Sequence, residues 1–329
     1  MEYRRLGSTG LEISAIGFGG WPIGGSWGTV TEDDAMDALH AAVDAGVTFF
    51  DTADRYGDGR SEQLVGRLRR DRPDAAMIVA TKVGRRLDPH VADGYTAVNL
   101  EAFVDRSLSN LGMEQVDLLQ LHSPPTAVYY RPEVFSALDS LVAKGKIRHY
   151  GASVKTVEEA LKAIEFPGVA SIQILFNLFR QRPAGLFFGQ ATRRNVGIIV
   201  RVPLASGLLS GRMTRTTVFE TDDHRRAHRD GTPLVDPGET FAGVDFETGL
   251  AAVDELRPLV PAGASLAQFA LRWILMHDAV STVIPGIKTA EQARQNAAAA
   301  DLEPLPDETM KAVAEIYEFR IKDQVHHRY

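Results

Sequence analysis

The chain has 329 residues and no cysteine. That excludes disulfide bonds, zinc–thiolate and iron–sulfur centres, and any thiol nucleophile. Long apolar runs are also missing. The longest candidate, around residues 266–276, is interrupted by Gln268 and Arg272, so nothing approaches the ~18 apolar residues of a membrane helix. MEYRRLGSTG at the start has no apolar segment of the kind found in a secretory signal. Cations are in the minority, 36 Lys and Arg against 43 Asp and Glu for a net charge of −7. Arginines pair at Arg4-Arg5, Arg69-Arg70, Arg85-Arg86, Arg193-Arg194 and Arg225-Arg226, but no pair extends into a basic run. A nucleic-acid partner needs such a patch. The expectation is a soluble, cytoplasmic protein with no membrane or nucleic-acid partner, its oligomeric state left open.

Several catalytic signatures are absent too. Gly17 and Gly19 are followed by Pro22 where a dinucleotide-binding fingerprint needs its third glycine. There is no HExxH, and no tyrosine followed four residues later by lysine. His224 and His228 have helical i, i+4 spacing, but in loop-like sequence, so no metal is expected.

What is present is an alternation of short apolar runs and amphipathic segments. Runs at 14–19, 47–50, 77–81, 116–121, 147–152, 171–175, 197–202 and 281–284 read as strands. Between them, segments such as 31–45, capped by Thr31 and stopped by Gly46, and 99–111, stopped by Gly112, read as helices. Ser61 is the expected N-cap of the helix SEQLVGRLRR, and residues 186–194 read as one helix. Eight β-then-α units favour a single-domain (β/α)8 TIM barrel over residues 1–329. YRRLGSTGLEIS reads as an N-terminal β-hairpin that could plug its base. One connection, about residues 211–249, is long, polar and turn-rich, which suggests a lid over the catalytic face.

Three of the strands end in a reactive group: TFFDTADRY carries Asp51 and Tyr56, MIVATK ends in Lys82, and VDLLQLH ends in His122. Strand C-termini of a parallel barrel open on one face and carry its chemistry. A free phenol, with a pKa near ~10, is a poor acid at neutral pH, and a neighbouring ammonium favours its ionised form. Lys82 can supply that charge, Asp51 can hold it, and His122 can polarise the oxygen that takes the proton. General acid catalysis on a carbonyl, with hydride from a nicotinamide, is the natural use.

These residues resemble the aldo-keto reductases along nearly the whole chain. GFGGWPIGG, DTADRYGDGRSEQLVG, ATKVG, DLLQLHSP, VPLASGLLSG and VIPGIKTAEQARQN are similar to that family's segments and stand in its order. The resemblance implies a (β/α)8 barrel that reduces aldehydes and ketones with NADPH, NADH being the other candidate. It implies Tyr56 as proton donor, with Asp51 and Lys82 tuning it and His122 at the carbonyl oxygen. It places Ser153 and Gln173 at the nicotinamide carboxamide, and Arg201 where many members stack an aromatic on the ring. The amides of Leu204, Ser206 and Leu208 fall at the pyrophosphate, and Gly286, Lys288, Gln292 and Asn296 at the adenosine phosphate. Val154, Arg201, Gln292 and Gln295 depart from the common pattern.

Trp21, Trp27, Tyr129 and Tyr130 follow strands one and four and suggest an apolar pocket for an aromatic or aliphatic carbonyl rather than a sugar phosphate. Two other classes stay open: a cofactor-sensing regulatory subunit of the same fold, and a lyase using Lys82 as a Schiff base.

Overall fold

The computed structural model describes residues 1–25, 30–219, 223, 225–226 and 240–327. β1 (Tyr3–Arg5) and β2 (Glu12–Ser14) pair antiparallel across a 3-10 turn at Gly7–Thr9, which is the expected hairpin. Eight parallel strands follow: β3 (Phe18–Gly19), β4 (Phe49–Asp51), β5 (Ile78–Val83), β6 (Val116–His122), β7 (Ile147–Ser153), β8 (Val169–Leu175), β9 (Gly197–Arg201) and β10 (Val280–Val283). Each pairs with its predecessor. Parallel bridges Ile16–Val283 and Gly19–Gly286 join the first strand to the last, and the Gly17 amide donates to the Val283 carbonyl at 2.8 Å. The sheet is therefore a closed (β/α)8 barrel.

The helices form where capping and periodicity placed them, with a few shifts. α1 (Glu32–Asp44) is capped by Thr31, whose hydroxyl accepts from the Asp34 amide. α2 (Arg60–Asp71) starts one residue earlier than expected, from Gly59. Ser61 is not its cap: its buried hydroxyl donates to the Gly20 carbonyl and accepts from Thr52. α3 (Ala97–Leu111) begins two residues before the expected 99–111, and Pro132 takes the first position of α4 (Pro132–Ala143). α5 (Val157–Ala163) carries a Thr156–Glu159 capping box. The single helix expected at 186–194 is two, α6 (Arg182–Leu186) and α7 (Phe188–Arg193), broken at Phe187. α8 (Phe246–Leu256), capped by Asp245, begins inside the expected 211–249 loop. Much of that loop, with His224, His228 and the lid expectation, lies outside the described residues. α9 (Leu266–Leu275) and α10 (Ala290–Ala297) complete the ring. α11 (Asp307–Ile316) runs into a π-turn whose Tyr317 and Ile321 are buried.

Ser14 belongs to the hairpin, not to the first barrel strand as expected: it pairs with Tyr3. The hairpin seals the N-terminal end of the barrel. Leu6, Leu11 and Ile13 pack against the inward residues Phe49, Ala80, Leu118, Ile199 and Ile284. Gly7 sits at φ 51° so close to the strand ends that a Cβ would lie 2.3 Å from the Gly197 nitrogen, an approach that only glycine permits. Leu6 is fully buried. Leu6→Ala should therefore cost about 2–5 kcal/mol in urea unfolding. A loss under ~1 kcal/mol would mean that the plug is not part of the core.

Candidate active site

Strand side chains alternate between the barrel interior and the surrounding helices. Phe49, Ala80 and Leu118 form part of the lower interior layer. Two residues further along the same strands stand Asp51, Lys82 and Gln120, the next inward positions. Register brings them together: Asp51 lies opposite Ala80, and Lys82 opposite Gln120. On the following strands His122 lies opposite Ser153, and Ser153 opposite Gln173. At Gly151 a Cβ would lie 2.3 Å from the Ser171 carbonyl oxygen, so glycine is required where β7 and β8 approach.

Lys82 and Asp51 are almost fully buried. Lys82 Nζ donates to Asp51 Oδ1 at 2.5 Å, to the Thr52 carbonyl at 2.9 Å and to Tyr56 Oη at 3.0 Å. All three donors of the ammonium are thereby used. The other carboxylate oxygen, Asp51 Oδ2, accepts from Gln120 at 3.0 Å and from Gln173 at 2.8 Å. Burial alone would depress the Lys82 pKa, but the charge of Asp51, then Tyr56, and hydrogen bonds to both outweigh it and hold it above its ordinary value. Lys82 is charged across the physiological range. Gln120 had no expected role. Its signal was a polar side chain at an inward position between Leu119 and Leu121.

His122 stands beside Tyr56, ring centroids 5.7 Å apart and nearly perpendicular. Burial, then the charges of Lys82, Arg85, Arg201 and Arg55, push its pKa well below the usual imidazole range, so the ring is neutral. Its Nδ1 is buried without a hydrogen-bond partner among the described residues. A buried polar atom in that state suits a site meant to receive a ligand. Trp21 stacks on Tyr56 with centroids 6.2 Å apart. The structure thus brings Asp51, Tyr56, Lys82 and His122 into one cluster at the C-terminal face.

Two of the four aromatic residues expected to line an apolar pocket do not line one. Tyr129 is wholly buried within the hydrophobic core and offers no surface to a substrate. Tyr130 is exposed, with Lys162 over its ring. Trp27 lies outside the described residues. A cavity of about 910 Å³ is lined by Arg55, the residue before Tyr56, together with Arg85, Arg86 and Lys155.

The cofactor candidates occupy the ends of β7 to β10. Ser153 Oγ lies 3.4 Å from Gln173 Oε1. Gln173 Nε2 is committed to Asp51 and Gln120, so its carbonyl oxygen is the group that can accept from a carboxamide. Arg201 is buried and donates to the Val154 carbonyl at 3.0 Å, so two of the residues that depart from the family pattern hold each other. After β9, Ala205, Ser206 and Gly207 have φ of 46°, 55° and 100°. Such left-handed turns curl successive amides into an anion-binding concavity, here spanning Leu204 to Leu208. After β10, a Cβ at Gly286 would lie 2.9 Å from the Pro22 ring. The Lys288 amide donates to Gln292 Oε1 at 2.8 Å, and Asn296 is buried on α10. An acceptor for a carboxamide and a cradle for a pyrophosphate fit a nicotinamide dinucleotide.

Comparison with known proteins agrees with this geometry. The model of the aldo/keto reductase family matches residues 15–318. The chain is 31% identical to the aldo-keto reductase YhdN of Bacillus subtilis, over 89% of this chain and 86% of that one. It is 28% identical to a probable voltage-gated potassium channel subunit beta of Arabidopsis thaliana, over 93% of each. Among solved structures it is similar to the glycerol dehydrogenase AKR11B4 from Gluconobacter oxydans, with a TM-score of 0.80 and 30% identity over 97% of this chain and 96% of that one.

One buried acid near the cluster was not anticipated. Asp54 is fully buried, and neither of its carboxylate oxygens has a hydrogen-bond partner among the described residues. Burial, then the charge of Glu62, raise its pKa from 3.8 to about 7, against the pull of Arg86, Arg106 and the Arg55 amide. Glu62 itself is held by Thr81 at 2.6 Å and Asn110 at 2.8 Å. Between those two pKa values the folded protein keeps a proton that the unfolded chain has lost. Stability associated with Asp54 is therefore complete below about pH 4 and is lost as pH rises through about 7. Asp54→Asn, which cannot ionise, should gain stability relative to the parent as pH rises from 5 to 8, by about 2.5 kcal/mol. Urea unfolding at both ends of that range measures it, and equal pH slopes for the two proteins would refute the assignment.

Proposed function

The chain belongs to the aldo/keto reductase family and is an NAD(P)H-dependent oxidoreductase, and from that premise we propose that it reduces aldehydes and ketones to alcohols with NADPH, Tyr56 donating the proton. The observation that carries this reading is the 3.0 Å contact of the Lys82 ammonium with the Tyr56 hydroxyl. When bound, the reduced nicotinamide supplies hydride to the carbonyl carbon. The residues of the chain manage the oxygen. Neutral His122 donates a hydrogen bond to it and aligns it with Tyr56. As negative charge grows there, Tyr56 releases its proton to it. Lys82 stabilises the phenolate left behind, and Asp51 keeps Lys82 charged and aimed.

Ser153 and the Gln173 carbonyl oxygen hold the carboxamide, and Arg201 lies beside the ring. The concave loop at Leu204, Ser206 and Leu208 takes the pyrophosphate. Gly286, packed against the Pro22 ring, begins the segment after β10, with Gln292 and Asn296 toward the adenosine. Lys288 is the cation among these residues and supports NADPH over NADH.

The likeness to a channel subunit supports one other reading, a cofactor-sensing subunit of the same fold. The two separate on turnover. Tyr56→Phe should lower kcat about 10²–10⁴-fold while NADPH affinity, read by fluorescence titration, changes by less than about twofold. Undiminished turnover would contradict the proton-donor role, and a parent protein that binds cofactor but reduces no carbonyl would favour the sensor. Lys288→Ala should weaken NADPH about tenfold more than NADH, a difference of ~1.4 kcal/mol. Equal weakening of both would remove Lys288 from the 2′-phosphate.

A further inference from the structure

The cavity that Arg55 lines has a charge that the rest of the chain does not. The protein carries a net charge of −7, yet this cavity presents Arg55, Arg85, Arg86 and Lys155 against a single carboxylate, Asp88. Three barrel connections build it. Arg55 precedes Tyr56 in the loop after β4. Arg85, Arg86 and Asp88 follow Lys82 in the loop after β5. Lys155 stands two residues past Ser153, after β7. The cluster therefore sits on the catalytic face, among the loops that carry the proton donor and its ammonium.

These cations are not all spoken for. Arg86 is paired with Asp58. Arg55 donates to the Arg85 carbonyl at 2.7 Å, which ties the two loops together and consumes no charge. Among the described residues no carboxylate pairs with Arg55 or Arg85, and Arg85 Nε is buried without a hydrogen-bond partner. A buried guanidinium N–H left unused costs free energy unless a ligand satisfies it. The field of the cluster is felt at two imidazoles. His90 in the cavity wall has its pKa lowered by burial and then by Arg85, Lys155 and Arg55. Arg85 and Arg55 likewise act on His122 in the reacting cluster. A concave site lined by one sign of charge concentrates ligands of the other sign, and guanidinium groups pair with carboxylate or phosphate through two parallel bonds.

We propose that this cavity is the substrate subsite, and that the enzyme prefers carbonyl compounds bearing an anionic group, a carboxylate or a phosphate monoester, a few bonds from the carbonyl. The inference rests on the carbonyl-reductase reading and names its substrate class. Arg85 and Arg55 receive the anion, with Lys155 in the same lining adding charge. The carbonyl then lies toward Tyr56 and His122.

Two matched pairs test it with NADPH as reductant: 4-oxobutanoate against its methyl ester, and glycolaldehyde phosphate against glycolaldehyde. The expected result is that kcat/KM for at least one anionic member exceeds that of its neutral partner by about tenfold or more, on the order of one good charge-assisted contact, through KM. The pair that shows it identifies carboxylate or phosphate as the anion. The preference should shrink as ionic strength rises. Arg85→Gln, and separately Lys155→Gln, should each lower the anionic-to-neutral ratio severalfold, with folding checked by thermal unfolding. Equal use of both members of each pair overturns the inference while leaving the reductase intact. A ratio that survives both substitutions also overturns it. A variant that instead loses NADPH affinity makes the cavity part of the cofactor site and likewise refutes the proposal. Reduction of none of the four compounds removes the reductase reading and this inference with it.

Discussion

The structure depends on one buried ion pair, Lys82 with Asp51. Removing two charges from water costs several kcal/mol per ion, and attraction between them repays this only when every remaining hydrogen-bonding position is filled. Here every position is. The ammonium has three acceptors, and the second carboxylate oxygen has two amide donors from different strands. One of the three acceptors is the Tyr56 hydroxyl. The Tyr56 hydroxyl is thus part of what makes a buried lysine tolerable, and in the proposed mechanism the lysine is part of what makes that phenol an acid. Loss of either partner would leave the other charge buried and unpaired, which typically costs about 3–5 kcal/mol. Chemistry and stability are coupled at this point.

The barrel makes the arrangement achievable. Its interior is divided by height. At the N-terminal end the hairpin and the lower strand residues form an apolar plug. One inward position higher β4, β5 and β6 carry Asp51, Lys82 and Gln120, and β8 adds Gln173. The apolar floor keeps water from reaching the ion pair from below, and parallel register keeps neighbouring strand ends level. Above the polar layer the loops after β4, β5 and β7 contribute guanidinium and ammonium groups. The site has two electrostatic tiers, a neutralised pair inside and a positive rim outside. The first suits proton transfer and the second suits capture of an anion.

Much of this was legible in the sequence because strand periodicity is strict. Asp51, Lys82 and His122 each end a short apolar run, and a parallel barrel leaves one face on which such ends can meet. The hairpin was legible from its turn residues, and most helix starts from their caps. Ser61 was misread because a serine before an apolar run looks like a cap even when its hydroxyl is drawn into the interior by Gly20 and Thr52. Helix α8 was obscured by the polar stretch that precedes it. Tyr129 was misjudged because position after a strand says nothing about which way an aromatic ring packs. Gln120 was hidden in plain view, since its task is to complete the hydrogen bonding of an aspartate 69 positions away. The basic cavity escaped because its cations come from three separate loops, and no local window of sequence contains them.

Whether the Lys82 charge sets the acidity of the proton donor is measured most directly by the pH dependence of carbonyl reduction. Reduction needs the protonated phenol, so kcat should fall on the alkaline side as Tyr56 ionises. In Lys82→Met the ammonium is gone and the Asp51 charge is unshielded. A lower maximal kcat is then expected, with the alkaline limb displaced upward by about one pH unit or more. An alkaline limb at the same pH in both proteins would contradict it.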